Sequence, residues 1–379
     1  MSIGRQSRFV LGLVLVVVLT SSVLVLDNRY RAKRAAEIAA KFQLLVTLRR
    51  SALQSYFSTA DAEISFWSVS PKIHSSFSAL SEGWDDLGAS VAIKVRDLYI
   101  SDYPFAGNGL AGLADAGDGS AYSNAHADLH ELAREFVTGR GYYDFFLIDL
   151  DGNIIYSVEK EQDYATNLVK GAYSQSGLGD VFRRVTSEEH EHTVAISDFA
   201  RYAPSNDDPA IFAGKLMFND KGKRIGVLAL QLPSDSIHDI MHFTVGMGES
   251  GETYLVGPDL LMRSDSRFSD VSTVLDVSVG SDTVQRALNG ERGVEYTPDY
   301  RGIEVLSAYD YIDISGLRWA VMAEIDADEI ATQTGSILGV LAAAAAALFG
   351  LVLLTFTVLR DFGSIGLGEG GGDYDPDAM

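Results

Sequence analysis

Cysteine is absent from the 379 residues, which excludes disulfides, thiolate metal sites and cysteine nucleophiles. Basic residues are scarce beside acidic ones: 30 Lys and Arg stand against 52 Asp and Glu, a formal net charge of −22. A surface of that sign repels phosphate backbones, so nucleic acid is not an expected partner. The sequence also lacks a Gly-x-Ser-x-Gly elbow and a Walker loop, and no carboxylate pair has an independent claim to acid–base work. An enzyme is therefore not expected, and no cofactor is implied.

Three motif-like strings resolve into ordinary structure. Gly246-x-Gly248-x-x-Gly251 matches the dinucleotide fingerprint but precedes a strand pattern, whereas the fingerprint follows a strand and opens a helix. Asp149-x-Asp151-Gly152-Asn153 begins like a calcium loop, yet its glycine falls too early and Lys160 stands where a bidentate Glu is needed, so a hairpin turn explains it. His190 and His192, beside Glu188 and Glu189, have no evident third ligand, which favours a solvated acidic loop over a metal site.

What is present is apolar. Hydrophobic residues make up 47% of the chain, enough for a folded core. Two runs go further: Phe9–Leu26 and Ser336–Val358, the second with six consecutive alanines. Both are long enough to cross a bilayer, the first at the lower limit. Arg5 and Arg8 precede the first run as they do in a signal peptide, but no small-x-small cleavage site follows, so an uncleaved anchor is expected. Arg29, Arg31, Lys33 and Arg34 after it favour the cytoplasm, yet long domains translocate largely regardless of charge. The expectation is an inner-membrane protein with both termini cytoplasmic and the bulk of the chain periplasmic.

Between the spans, residues 29–67 read as one long helix with an apolar stripe through Ile38, Phe42, Leu45, Leu48 and Ala52. Such a stripe packs on its own domain or pairs in a dimer. Residues 101–120 are rich in Gly, Asp and Ala and read as a loop. YYDFFLIDLDGNIIYSV then reads as a hairpin turning at Asp151-Gly152, and residues 165–185 as helical with glycine breaks. Residues 193–202 read as a strand, and IFAGKLMFNDKGKRIGVLALQL as a second hairpin. The order then repeats: a short hairpin in GETYLVGPDLLMRS, a helix at 283–288, and strands at 293–296, 304–311 and 318–325. Each half is a hairpin, a helical crossover and an antiparallel run.

That order, with YYDFFLIDLDGNIIYSVEKEQDYATNL, ISDFARYAPS, GVLALQLPSDSI and GETYLVGPDLLMRSDSRF, resembles the double Cache sensor domains of bacterial chemoreceptors, sensor kinases and membrane cyclases over residues 27–335. The resemblance implies an α+β fold: a long N-terminal helix with two PAS-like antiparallel-sheet units, flanked by two transmembrane helices. The expected segments are a cytoplasmic N-terminus (1–8), a first span (9–26), the long helix and connection (27–100), and a membrane-distal unit (101–235). A membrane-proximal unit (236–335), a second span (336–358) and an acidic, Gly-rich tail (359–379) follow.

The family binds small molecules in the distal unit. On this sequence the implied ligand residues are Asp198, Tyr202 and Ser205 around the strand ISDFARY, with Tyr156 and Phe212 lining the same cavity. A strand-end cap or turn is the favoured reading of Asp198, while Tyr156 reads equally as a core tyrosine. The Arg-x-Trp-Tyr cluster of amino-acid-sensing members is missing from DYATNLVKGAYSQSGLGDVFRRV, so an amino-acid ligand is not supported. The tail holds no kinase, cyclase or methyl-accepting helix, which places any output on a separate partner. Two functions follow as expectations: a sensor subunit, homodimeric or within a membrane complex, or a non-enzymatic accessory subunit using the fold as a docking surface.

Overall fold

A computed structural model describes residues 5–101, 109–336 and 338–365. They fall into two compact units, Lys41–Ala327 and a second made of residues 1–40 with 328–379.

Helix α1 (Arg5–Ser68) is long because no proline or glycine interrupts it after Gly12. Within the larger unit its buried stripe is Phe42, Val46, Leu53, Phe57, Ala60 and Ile64, recurring at helical three-, four- and seven-residue steps. This corrects the expected stripe: Phe42 is shared, but Leu48 is 54% exposed and Ala52 is exposed. The core-facing row is displaced by about one position around the helix, and polar residues between its members hid it. Pro71 opens α2 (Pro71–Asp86), where its missing N–H costs nothing. After α3 (Val91–Arg96), Ser120 caps α4 (Ala121–Arg140) by accepting the Ser123 N–H, and Gly141, at φ 73°, ends it. Part of the expected 101–120 loop lies outside the described residues.

The first sheet takes β1 (Asp144–Ile148), β2 (Ile154–Ser157), β3 (Ala195–Ile196), β5 (Asp208–Phe218) and β6 (Arg224–Leu232) in the order β2-β1-β6-β5-β3, with β4 (Ala200–Tyr202) pairing β5. All pairs are antiparallel. One face packs on α1, α2 and α4: Phe145 meets Trp67 and Phe136, and Lys215 donates to Ser65 Oγ at 2.9 Å. The other face carries α5 (Gly177–Thr186), and Gly214 lets Val181 approach so closely that a Cβ would meet it at 2.7 Å. The expected helix over 165–185 shrinks to α5. Ala165 takes φ 56°, and the Asn167 side chain accepts from the N–H groups of Val169 and Lys170, holding this stretch in turns.

After α6 (Ser234–Met241) the plan repeats. The second sheet, order β7-β10-β9-β8, is built from β7 (Glu252–Val256), β8 (Gly293–Pro298), β9 (Glu304–Ile314) and β10 (Leu317–Asp326), with α7 (Asp282–Leu288) as crossover. In each half the opening strand pairs with the last one, and the last with the next to last. The short hairpin expected in GETYLVGPDLLMRS has only one strand arm. Its return is held by the Val256–Met262 bridge and by Gly257 N–H to Leu261 O at 2.9 Å.

The smaller unit contains the first apolar run, on α1, and α9 (Leu338–Ile365), which follows α8 (Ala327–Gln333). Among the described residues one stretch, Ala327–Val352, is long and apolar enough to cross a membrane, with mean hydropathy 2.2. Inside this unit the buried Asp27 accepts from Arg31 Nε at 2.9 Å and from Ser336 Oγ at 3.1 Å, tying α1 to the connection that precedes α9.

Candidate functional site

The crossover face of the first sheet carries a buried polar cluster on an aromatic floor. Asp144 of β1 is registered opposite Gln231 of β6, which is registered opposite Phe212 of β5, so all three project to this side. Phe212 packs against Phe146 (6.2 Å between ring centroids) and edge-on to Tyr202 (4.8 Å). Over this floor the chain leaving β2 delivers Glu159, Lys160, Glu161 and Asp163, and Tyr173 lies 6.0 Å from Tyr202.

Hydrogen bonds join the acids to the floor. Tyr202 Oη donates to Asp163 Oδ2 at 2.5 Å. Ser205 Oγ donates to Glu161 Oε2 at 2.6 Å and accepts from Gln231 Nε2 at 3.2 Å, while Tyr143 Oη donates to Glu161 Oε1 at 2.7 Å. Asp144 accepts from Ser157 Oγ at 2.7 Å and from the N–H groups of Phe145 and Val158. The other oxygen of Asp163 makes no hydrogen bond of good geometry among the described residues, although Asp163 is only 1% exposed and the N–H groups of Asp163 and Tyr164 lie close enough to favour its charged form.

Burial governs the protonation of the cluster. It pushes the Asp163 carboxyl up to about 6, although the Tyr202 hydroxyl opposes the shift. Burial, then the neighbouring Asp163 charge, holds Asp144 well above the usual carboxylate range. Lys160, fully buried at φ 53°, is pushed down to about 7 by burial against the pull of Asp144 and Glu159. Its ammonium donates to the carbonyls of Val158 and Leu110 at 3.0 and 3.2 Å.

Of the five ligand residues expected from sequence, Tyr202, Ser205 and Phe212 meet in this cluster. Tyr156 does not. It sits on the opposite face of the sheet, where His130 Nδ1 is 2.9 Å from its hydroxyl and the His126 ring is 4.9 Å away, because it alternates with Ser157 along β2. Asp198 also lies elsewhere. Its neighbour Ser197 turns inward to accept the Phe212 N–H at 2.9 Å, which turns Asp198 toward the second half. There its carboxylate accepts from Arg263 Nε and Nη2 at 2.8 and 2.9 Å and from Trp319 Nε1 at 3.0 Å. The residues missed from sequence are Asp163, Glu161 and Gln231. The available signal is the density of acids in Glu159–Asp163 straight after a wholly buried strand.

A Cache domain family model matches residues 37–334. The chain belongs to this family of sensor domains. A comparison with curated proteins returns no match. Similar solved structures include an extracellular ligand binding receptor from Desulfohalobium retbaense, at 15% identity and TM-score 0.38, over 65% of this chain and 39% of that one. The ligand-binding domain of the Campylobacter jejuni chemoreceptor Tlp3, in complex with 4-methylisoleucine, is 13% identical over 82% of this chain and 94% of that one, with TM-score 0.41. That of the Pseudomonas fluorescens chemoreceptor CtaA, in complex with L-serine, is 14% identical over 53% and 80%, with TM-score 0.37.

Proposed function

We propose that this protein is a membrane-anchored, extracytoplasmic sensor subunit. Its small-molecule ligand binds on the crossover face of the first sheet, and its signal passes to a separate output partner. The observation that carries the reading is the Asp163 oxygen that makes no hydrogen bond of good geometry, buried beside Tyr202. A buried acceptor without a well-placed donor costs about 1–3 kcal/mol, and a ligand N–H or O–H removes that cost. Tyr202, Phe212 and Ser205 form the rest of the contact surface, with Glu161 as a further acceptor. Asp198 serves the fold, and Tyr156 belongs to the helix-side core. The apolar run of α1 and α9 support the anchor, and the family supports sensing over catalysis.

The test is thermal unfolding of the full-length protein in detergent against a library of small molecules, for wild type and Asp163→Asn. A ligand that raises the wild-type midpoint should lose roughly ten- to a hundredfold in affinity in the variant, the equivalent of one charge-assisted hydrogen bond. A library that shifts nothing, or a variant that responds equally, contradicts the reading.

A further inference from the structure

Where the two sheet halves meet, a cleft of about 540 Å³ opens beside the crossover-face cluster. Three carboxylates reach it from three separate elements: Asp208 at the start of β5, Asp235 in the first turn of α6, and Asp265 beyond β7. The fixed cation of its lining, Arg263, is 2% exposed, and its guanidinium is committed to Asp198 and to Asp259 at 2.9 Å. His238 lies 3.5 Å from Asp265. Gln231, only 4% exposed, borders the cleft. Its amide nitrogen is used by Ser205, while its Oε1 has no partner among the described residues. Asp265 Oδ1 is already used by the Ser272 hydroxyl at 2.8 Å and the Thr273 N–H at 2.6 Å, so the acceptors facing the cleft are its Oδ2, Asp208, Asp235 and Gln231 Oε1, with Leu232 and Val274 adding apolar wall.

A metal ion does not suit this arrangement: among the described residues no group of three or more His, Asp or Glu side chains is placed to hold one. An organic cation does. Its N–H groups satisfy dispersed carboxylates and the Gln231 oxygen, and its methylenes cover the apolar wall. We propose that the cleft is a second binding site, distinct from the Asp163 cluster, for a flexible organic dication of the alkyl-diamine class. Asp208 belongs to the first half and Asp265 to the second, so such a ligand touches both at once and bears directly on how they are held together.

The test is isothermal titration of 1,4-diaminobutane into the full-length protein in detergent, at fixed ionic strength, with butylamine and magnesium chloride as comparators. The expected result is saturable binding to one site, at least about tenfold tighter than butylamine, as follows from losing one charge-assisted contact. Asp208→Asn with Asp235→Asn should weaken it by a similar factor, while Asp163→Asn leaves it unchanged. Both aspartates are exposed, and an unchanged unfolding midpoint shows that the double variant is folded. The proposal is overturned if no saturable heat is seen, if magnesium competes equally, or if the double variant binds like wild type. Loss of diamine binding in Asp163→Asn would also overturn it, by moving the ligand to the crossover face and leaving the sensor reading intact. A silent Asp163 site with intact diamine binding does the reverse.

Discussion

Asp198 and Arg263 stand 65 residues apart in sequence and form a two-pronged ion pair, Oδ1 to Nε at 2.8 Å and Oδ2 to Nη2 at 2.9 Å. The pair joins the strap beside the crossover-face cluster to the second half of the fold, and the Phe199 ring stacks on Trp319 alongside it at 5.8 Å. Two further contacts cross the same junction: Arg184 to Ser315 O at 2.5 Å and Arg201 to Asp276 at 2.8 Å.

Asp198→Ala should destabilise the protein by about 3 kcal/mol, because it strands a buried guanidinium that keeps only Asp259 and the Leu261 carbonyl. Pairing it with Arg263→Leu should recover a good part of the loss. A double-mutant cycle by urea denaturation reads this directly; additive losses would show that the two residues do not act as a pair.

Gly83→Ala should destabilise by about 1–3 kcal/mol. A Cβ at Gly83 meets the Tyr122 backbone nitrogen at 2.5 Å, so α2 and α4 must separate. The shift carries Tyr122, whose hydroxyl donates to Ile155 O at 2.7 Å, away from β2. Urea denaturation checks the size; an unchanged midpoint would mean that the two helices are not in this contact.

His130 should titrate near pH 4. Burial, then the Lys160 charge, pushes its imidazole down to about 4 from 6.5. The unfolded chain therefore binds the proton first. The stability contributed by neutral His130 is complete above about pH 6.5 and is lost as pH falls toward 4. Stability against pH should accordingly be flatter in His130→Gln than in wild type over that window. Imidazole NMR shifts give the midpoint, and a value near 6.5 would contradict the burial described here.

Asp163 has the opposite sign. Its carboxyl is raised from 3.8 to about 6, so stability falls as pH rises through that interval and the full cost is present above it. Asp163→Asn should be more stable than wild type by roughly 2–3 kcal/mol at pH 8, the equivalent of a two-unit shift. At pH 4 the two should be alike. Thermal unfolding at the two pH values separates this from a substitution that merely alters packing.

The architecture was legible because its signals are periodic or punctuated. The apolar strands around Phe145 and Leu228, the Asp151-Gly152 turn and the repeated element order each have a local cause. Which face a residue takes was less legible. Tyr156 and Ser157 are adjacent on β2, and only the register with Phe146 decides which of them faces Asp144. Asp198 was singled out for its position at a strand end, but its partners come from Arg263 and Trp319, which no local pattern links to it. Asp163 was overlooked for a related reason. In sequence it is one acid among several, and its burial follows from Tyr202 folding over it.

Whether the crossover face holds a ligand can be read by mass spectrometry of the small molecules that co-purify with the gently solubilised protein. One compound bearing an N–H or O–H donor should be found, near one per chain in wild type and strongly depleted in Asp163→Asn. A preparation that carries no small molecule but holds a stoichiometric membrane-protein partner would contradict it. So would a compound retained equally by the variant.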